Sequence, residues 1–191
     1  MKTHLNQLYF DLPEDLIALY PSKQRDACRL LEVHKESQTY THKTFYEIIN
    51  SLNAGDLLVF NDVKVDKARI YGKKDSGSIH EVLLLSQTSK DLKKWLCIAK
   101  KTRKLKKGDT LTFTSQLRAI LTENPGEGKI ILEFNQPLTQ EALQTIGEVP
   151  LPPYIKNKRA YQKEDEIYYQ TIFAKEGGAK AAPTAGLHFS D

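Results

Sequence analysis

A chain of 191 residues with 40% hydrophobic and 27% charged residues, 10 Gly and 8 Pro can bury one large or two small cores, which excludes disorder and collagen-like repeats. No apolar run approaches the roughly 20 residues of a membrane helix, and no apolar leader-type stretch follows Met1, so a soluble, cytoplasmic protein is expected. The net charge of +4 is unevenly spread: nine cations between Lys90 and Lys107 face Asp91 alone, while the rest of the chain is slightly acidic.

In chain order, Pro13 at a first helical position, Glu14 and Asp15 behind it and Pro21 beyond predict a short helix over 12–21. Cys28 and Cys97 lack metal-type spacing and read as small buried hydrophobes. Thr44 and Glu47 form a capping-box pattern, and Phe45, Ile48, Ile49 and Leu52 recur at helical spacing before Gly55, which predicts an amphipathic helix with a left-handed stop. Leu57–Phe60, bounded by Asp56 and Asn61, reads as a strand buried on both faces.

From Val63 onward the pattern shortens. Runs at 69–71, 79–85, 95–99, 111–114, 117–122 and 129–134, separated by Gly-containing turns, predict six strands of a small antiparallel barrel or sandwich. A helix is expected over 138–146, extended chain over Pro150–Tyr154, and a helical or strand-leading piece over 165–174.

Several segments carry chemical potential, each with a plainer alternative. The lysine-rich window suits a polyanion, or is a solvated hairpin. Asn61 and Asp62 stand where α/β sheets bind ligands, at the carboxyl end of the predicted strand, or are turn formers. Tyr154 beside Lys156, Lys158 and Arg159 could stack on a nucleic-acid base, or lie in a stiff linker. The small-residue block Gly177–Phe189 allows close ligand approach, with Thr184 and His188 able to hydrogen-bond or titrate, or is a flexible tail. Dinucleotide, phosphate-loop, nucleophile-elbow and zinc-helix motifs are missing from the sequence.

Together, Phe10–Glu14, Tyr20–Pro21, Arg25–Leu31, Gly55–Asp62, Ala68–Gly72, Leu151–Ile155, Tyr169–Thr171 and Ala181–Phe189 resemble, in order and spacing, the S-adenosylmethionine:tRNA ribosyltransferase-isomerases of queuosine synthesis. The resemblance implies a fold of the α/β plus β class in two domains, an α/β domain (1–62 and 150–191) interrupted by an inserted antiparallel β-barrel (63–149). It implies transfer and isomerisation of the ribosyl moiety of S-adenosylmethionine onto 7-aminomethyl-7-deazaguanine at the tRNA wobble position, giving epoxyqueuosine and releasing adenine and methionine. S-Adenosylmethionine would be a substrate, and no cofactor or metal is expected.

On this resemblance His188, Asp62 and Asp11 are the proton-transfer candidates, with His188 ranked first because an imidazole titrates near neutral pH. Asn61, Arg69, Tyr154, Gln170, Thr184 and Gly186 are expected to position substrate, and Lys100, Lys101, Arg103 and Lys104 to contact tRNA. Lys67, Ile167–Tyr168 and Lys180 depart from the family's usual residues. Family members continue beyond the Gly186–Phe189 block, so later strands and part of the active site are expected to be missing, leaving an exposed edge and apolar faces. The alternative from another class is a truncated, non-catalytic RNA-binding module.

Overall fold

The structure is a computed structural model that describes residues 9–191; the reading of the chain from Met1 to Leu8 lies outside them. Strands β1 (Arg29–His34) and β2 (Thr39–Thr44) pair antiparallel, from Arg29 opposite Thr44 to His34 opposite Thr39. This hairpin was not foreseen. Its strands carry Glu32, His34, His42 and Lys43 among apolar residues, which blurs the period of two.

The predicted amino-terminal helix is reduced to one 3-10 turn, Glu14–Leu16, which buries nothing. The expected helix after Thr44 is also a 3-10 segment, Phe45–Ser51. Its capping box forms as expected, with Thr44 N–H donating to Glu47 Oε2 at 2.7 Å, yet only Phe45 is buried. Ile49 and Leu52 face outward, so the packing that normally sustains a short amphipathic α-helix is missing. Gly55 does adopt the left-handed conformation, φ +100°.

The largest correction concerns Leu57–Phe60. The segment joins no ladder, and its residues are 86%, 50%, 84% and 38% exposed. An apolar run specifies that burial is wanted without specifying a partner, and among the described residues no strand lies alongside this one. The strand found instead is β3 (Val63–Val65), paired later in the chain.

The six predicted strands of the barrel all form: β4 (Arg69–Lys73), β5 (Ile79–Gln87), β6 (Lys94–Ala99), β7 (Thr110–Thr112), β8 (Arg118–Gly126) and β9 (Lys129–Phe134). They close in the order β4-β5-β6-β9-β8-β7, with every neighbouring pair antiparallel. Alternate residues point inward, His80, Val82 and Leu84 on β5 and Ile130, Leu132 and Phe134 on β9, as the pleat requires. Each fully buried Val, Leu, Ile or Phe contributes about 1.5–3 kcal/mol. Helix α1 (Gln140–Ile146), capped by Thr139 accepting from Ala142 N–H, adds Leu143 to the same core.

A second, smaller core gathers Val65, Val149, Leu151, Ile155 and Tyr169. Here β3 pairs in parallel with β10 (Glu176–Ala179), so the glycine-rich end is folded rather than a loose tail. A register irregularity between Gly177 and Ala179 coincides with Gly178 at φ +140°, a conformation open to glycine. Pro150–Pro152 is extended as expected, but Pro153 opens helix α2 (Pro153–Lys156), where its missing N–H costs nothing. Only Asp165–Tyr168 of the 165–174 segment is helical, forming α3. Arg159 locks α3 down, its Nη1 and Nη2 donating to Asp165 Oδ2 and Oδ1 at 2.8 and 2.6 Å.

A polar network joins the barrel to this core. Arg69 and Glu148 exchange backbone hydrogen bonds, Arg69 Nη2 donates to Leu151 O at 2.9 Å, and Arg69 Nε lies 3.0 Å from Glu81 Oε1. Lys156 pairs with the other Glu81 oxygen, and Tyr71 O–H donates to Glu148 Oε2 at 2.9 Å.

Candidate functional site

The small-residue block folds back onto the segment that precedes β3. The Phe60 and Phe173 rings stack with centroids 4.2 Å apart, and Phe189 stands edge-on to both, at 5.1 and 5.5 Å. Leu58–Asn61 on one side and Phe173, Pro183, Ala185, Gly186 and Phe189 on the other enclose a cleft of about 360 Å³. That is within the roughly 300–1,000 Å³ of small-molecule sites. A Cβ on Gly186 would lie 2.9 Å from Thr171 Cγ2, so a side chain there would push the 3-10 segment Thr184–His188 off its seat.

Asn61 Oδ1 accepts from Val63 N–H at 3.0 Å, an Asx turn that leaves its amide NH₂ uncommitted among the described residues. An aromatic-walled cleft with an amide donor at its edge suits a flat heteroaromatic ring. The structure therefore brings together Asn61 and Gly186, two of the residues singled out from sequence.

His188 faces elsewhere. With Cys28 it lines a smaller cleft of about 220 Å³, shared with Tyr20, Ser22, Arg25, Tyr168 and Leu187. The segment Arg25–Cys28 grips this end of the chain at three points. Arg25 donates to the carbonyls of Gln170 (2.7 Å), Ile167 (2.7 Å) and Leu187 (3.4 Å). Ser190 Oγ donates to Asp26 Oδ2 at 2.8 Å, and Cys28 Sγ lies 3.2 Å from His188 Nδ1. Burial, followed by the nearby Asp26 charge, pushes the Cys28 thiol above its ordinary pKa against the pull of a backbone hydrogen bond. Cys28 is thus half-buried and in contact with a titratable ring, whereas Cys97 is the inert core residue expected of both. No local sequence signal could have paired positions 28 and 188.

The remaining candidates are dispersed. Gln170 is spent on the backbone of Val65, accepting its N–H at 2.9 Å and donating to its carbonyl at 2.7 Å, so it finishes the edge of β3. Arg69 is buried in the network that joins the two cores. Tyr154 is exposed on α2, and Thr184 is exposed where its 3-10 segment begins. Asp62 and Asp11 are exposed, and among the described residues neither carboxylate has a hydrogen-bond or ion-pair partner. No three His, Cys, Asp or Glu side chains among the described residues cluster as metal ligands would.

At one end of the barrel, Lys100, Lys101, Arg103 and Lys104 are all exposed, and none has a carboxylate within 4 Å among the described residues. Their loop is well anchored. Asn124 Nδ2 donates to the carbonyls of Thr102 and Leu105, Leu105 is buried, and Lys74 Nζ bridges Asp109 Oδ2 (2.7 Å) and Lys104 O (3.3 Å). His80, buried at the same end, is held below its ordinary pKa by burial first and then by Lys74, with Lys104 and Lys101 adding to the effect. The surface is electropositive and preformed.

A family model described as "Queuosine biosynthesis protein" matches residues 5–191. A curated relative from Thermosipho melanesiensis, named S-adenosylmethionine:tRNA ribosyltransferase-isomerase, is 43% identical over 187 residues, covering 98% of this chain and 53% of its own length. The chain therefore spans about half the length of that relative. A crystal structure of S-adenosylmethionine tRNA ribosyltransferase from Thermotoga maritima is similar at 34% identity and a TM-score of 0.36, over 78% of this chain and 52% of that one.

Proposed function

The chain belongs to the queuosine biosynthesis protein family, and from that membership we propose that it forms the S-adenosylmethionine-binding and tRNA-facing part of a ribosyltransferase-isomerase. The observation that carries the reading is the cleft in which Asn61 and Gly186, from segments more than half the chain apart, meet among Phe60, Phe173 and Phe189. It receives the adenine ring of the substrate by stacking, with the Asn61 amide donating to a ring nitrogen.

The sulfonium acidifies its neighbouring ribose CH₂. Removal of that proton by a carboxylate, Asp62 next in the chain to Asn61 being the first candidate and Asp11 the second, starts a sequence in which adenine leaves. The 7-aminomethyl group of the tRNA base adds, the epoxide closes and methionine departs. Residues 100–104 hold the RNA by its phosphates, which positions it without reading sequence. A fold that places a stacking cleft and a cationic barrel end on one chain favours this over an RNA-binding module without chemistry.

The test is calorimetric titration of the chain with S-adenosylmethionine, paired with adenine release in the presence of precursor-modified tRNA. Saturable binding that weakens in Phe60→Ala and Gly186→Val supports the reading. Absence of binding by a chain with native circular dichroism refutes it.

A further inference from the structure

The contact between Cys28 and His188 decides which nitrogen of the imidazole is offered to a ligand. A neutral histidine carries one proton, and the partner of one ring nitrogen fixes the state of the other. Here Nδ1 lies 3.2 Å from Cys28 Sγ, and a thiol that stays protonated is a donor to an imidazole nitrogen and a poor acceptor from it. Burial keeps that thiol protonated at neutral pH. The ring also packs against Phe45, centroids 5.4 Å apart, and the chain on either side of it is tied down, Leu187 O accepting from Arg25 and Ser190 Oγ donating to Asp26.

We infer that Cys28 is a positioning residue whose S–H occupies His188 Nδ1, so that neutral His188 presents Nε2–H as a hydrogen-bond donor to the substrate and does not serve as the general base. The inference rests on the proposed function for its substrate, though not for its geometry. It reverses the first-ranked role that residue type alone suggests, and leaves proton abstraction to a carboxylate. A neutral imidazole used in this way polarises an acceptor without itself gaining or losing a proton. The acceptor it meets is a carboxylate oxygen, which S-adenosylmethionine carries at the end remote from its adenine. The cleft is also lined by Tyr20, Ser22 and Tyr168, whose hydroxyls can donate to an acceptor as well.

The decisive measurement is long-range proton–nitrogen NMR on the chain labelled with ¹⁵N-histidine, His188 being assigned by the signal lost in His188→Gln. At a pH where the ring is neutral, the wild type is expected to show a protonated Nε2 and an unprotonated Nδ1. Cys28→Ala should relax this population toward that of free histidine. Cys28→Asp, which places an acceptor against Nδ1, should invert it, with Cys28→Asn giving the same readout if the aspartate variant loses its native circular dichroism. A wild type protonated on Nδ1, or a folded aspartate variant with an unchanged tautomer, overturns the inference. Adenine release measured on the same samples separates the two claims: a wild type that releases none counts against the proposed function, while the tautomer signature stands or falls by itself.

Discussion

Removing the carboxylate of Asp165 is the sharpest perturbation of the framework behind the site. Its side chain and that of Arg159 are 2% and 6% exposed and bond through both guanidinium nitrogens, while Gln162 N–H donates to Asp165 Oδ2 at 2.8 Å. Arg159 Nε also donates to Leu19 O at 2.7 Å, and the guanidinium lies over the Tyr20 ring at 4.7 Å, so this pair holds the wall of the His188 cleft as well as α3. Asp165→Asn strands a buried cation, for which about 3–5 kcal/mol is lost, a large share of the roughly 5–15 kcal/mol available to a domain. Urea unfolding at pH 7 followed by circular dichroism reads it directly as a lower midpoint. Replacing both partners by apolar residues of similar volume, Arg159→Met with Asp165→Leu, should cost much less than either single change. Burial works to raise the Asp165 pKa, but the Arg159 fork and the Gln162 N–H outweigh it and hold the carboxyl below its ordinary value. The wild type should therefore keep this stability above the unfolded carboxylate pKa of about 3.9 and lose it as pH falls through the lower folded value, a loss that Asp165→Asn does not show. A single mutant within 1 kcal/mol of wild type at pH 7 refutes the reasoning.

Neutralising Lys100, Lys101, Arg103 and Lys104 together should reduce the slope of log affinity for tRNA against log salt by roughly three, at about 0.7–0.9 per phosphate contact; an unchanged slope places the RNA elsewhere. Leu132→Ala, at a fully buried barrel position, should cost about 2–5 kcal/mol in urea unfolding, and a cost under 1 kcal/mol would mean that the barrel core is not packed as described. Val59→Lys should shift stability by no more than about 0.5 kcal/mol, because the residue is 84% exposed; a loss of several would show that the Leu57–Phe60 run is buried after all.

The barrel's strands were legible because their information is local. Short apolar runs at 79–85 and 129–134, and turns at Gly77 and Gly108, which take positive φ, each determine their own stretch without reference to a distant partner, whereas closure into a barrel depends on the pairing of β4 with β7. Leu57–Phe60 was misread because hydrophobicity alone states a need for burial and leaves the covering surface unnamed. The 3-10 segment over Phe45–Ser51 shows the same limit in a helix, where the stripe was present and the surface to receive it was not.

Taken alone, the sequence determined the family, the six strands of the inserted module, the cationic window and the two segments that wall the aromatic cleft, since each is written in contiguous residues. The tertiary structure alone decided that Cys28 meets His188, that Arg159 grips Asp165 to anchor Leu19, that Gln170 completes the edge of β3, and that Arg69 is consumed in joining two cores. These contacts depend on where the backbone carries groups that are mostly remote in the chain, and a hydrogen bond or ion pair exists only within a few ångströms, so no residue pattern along the chain encodes them.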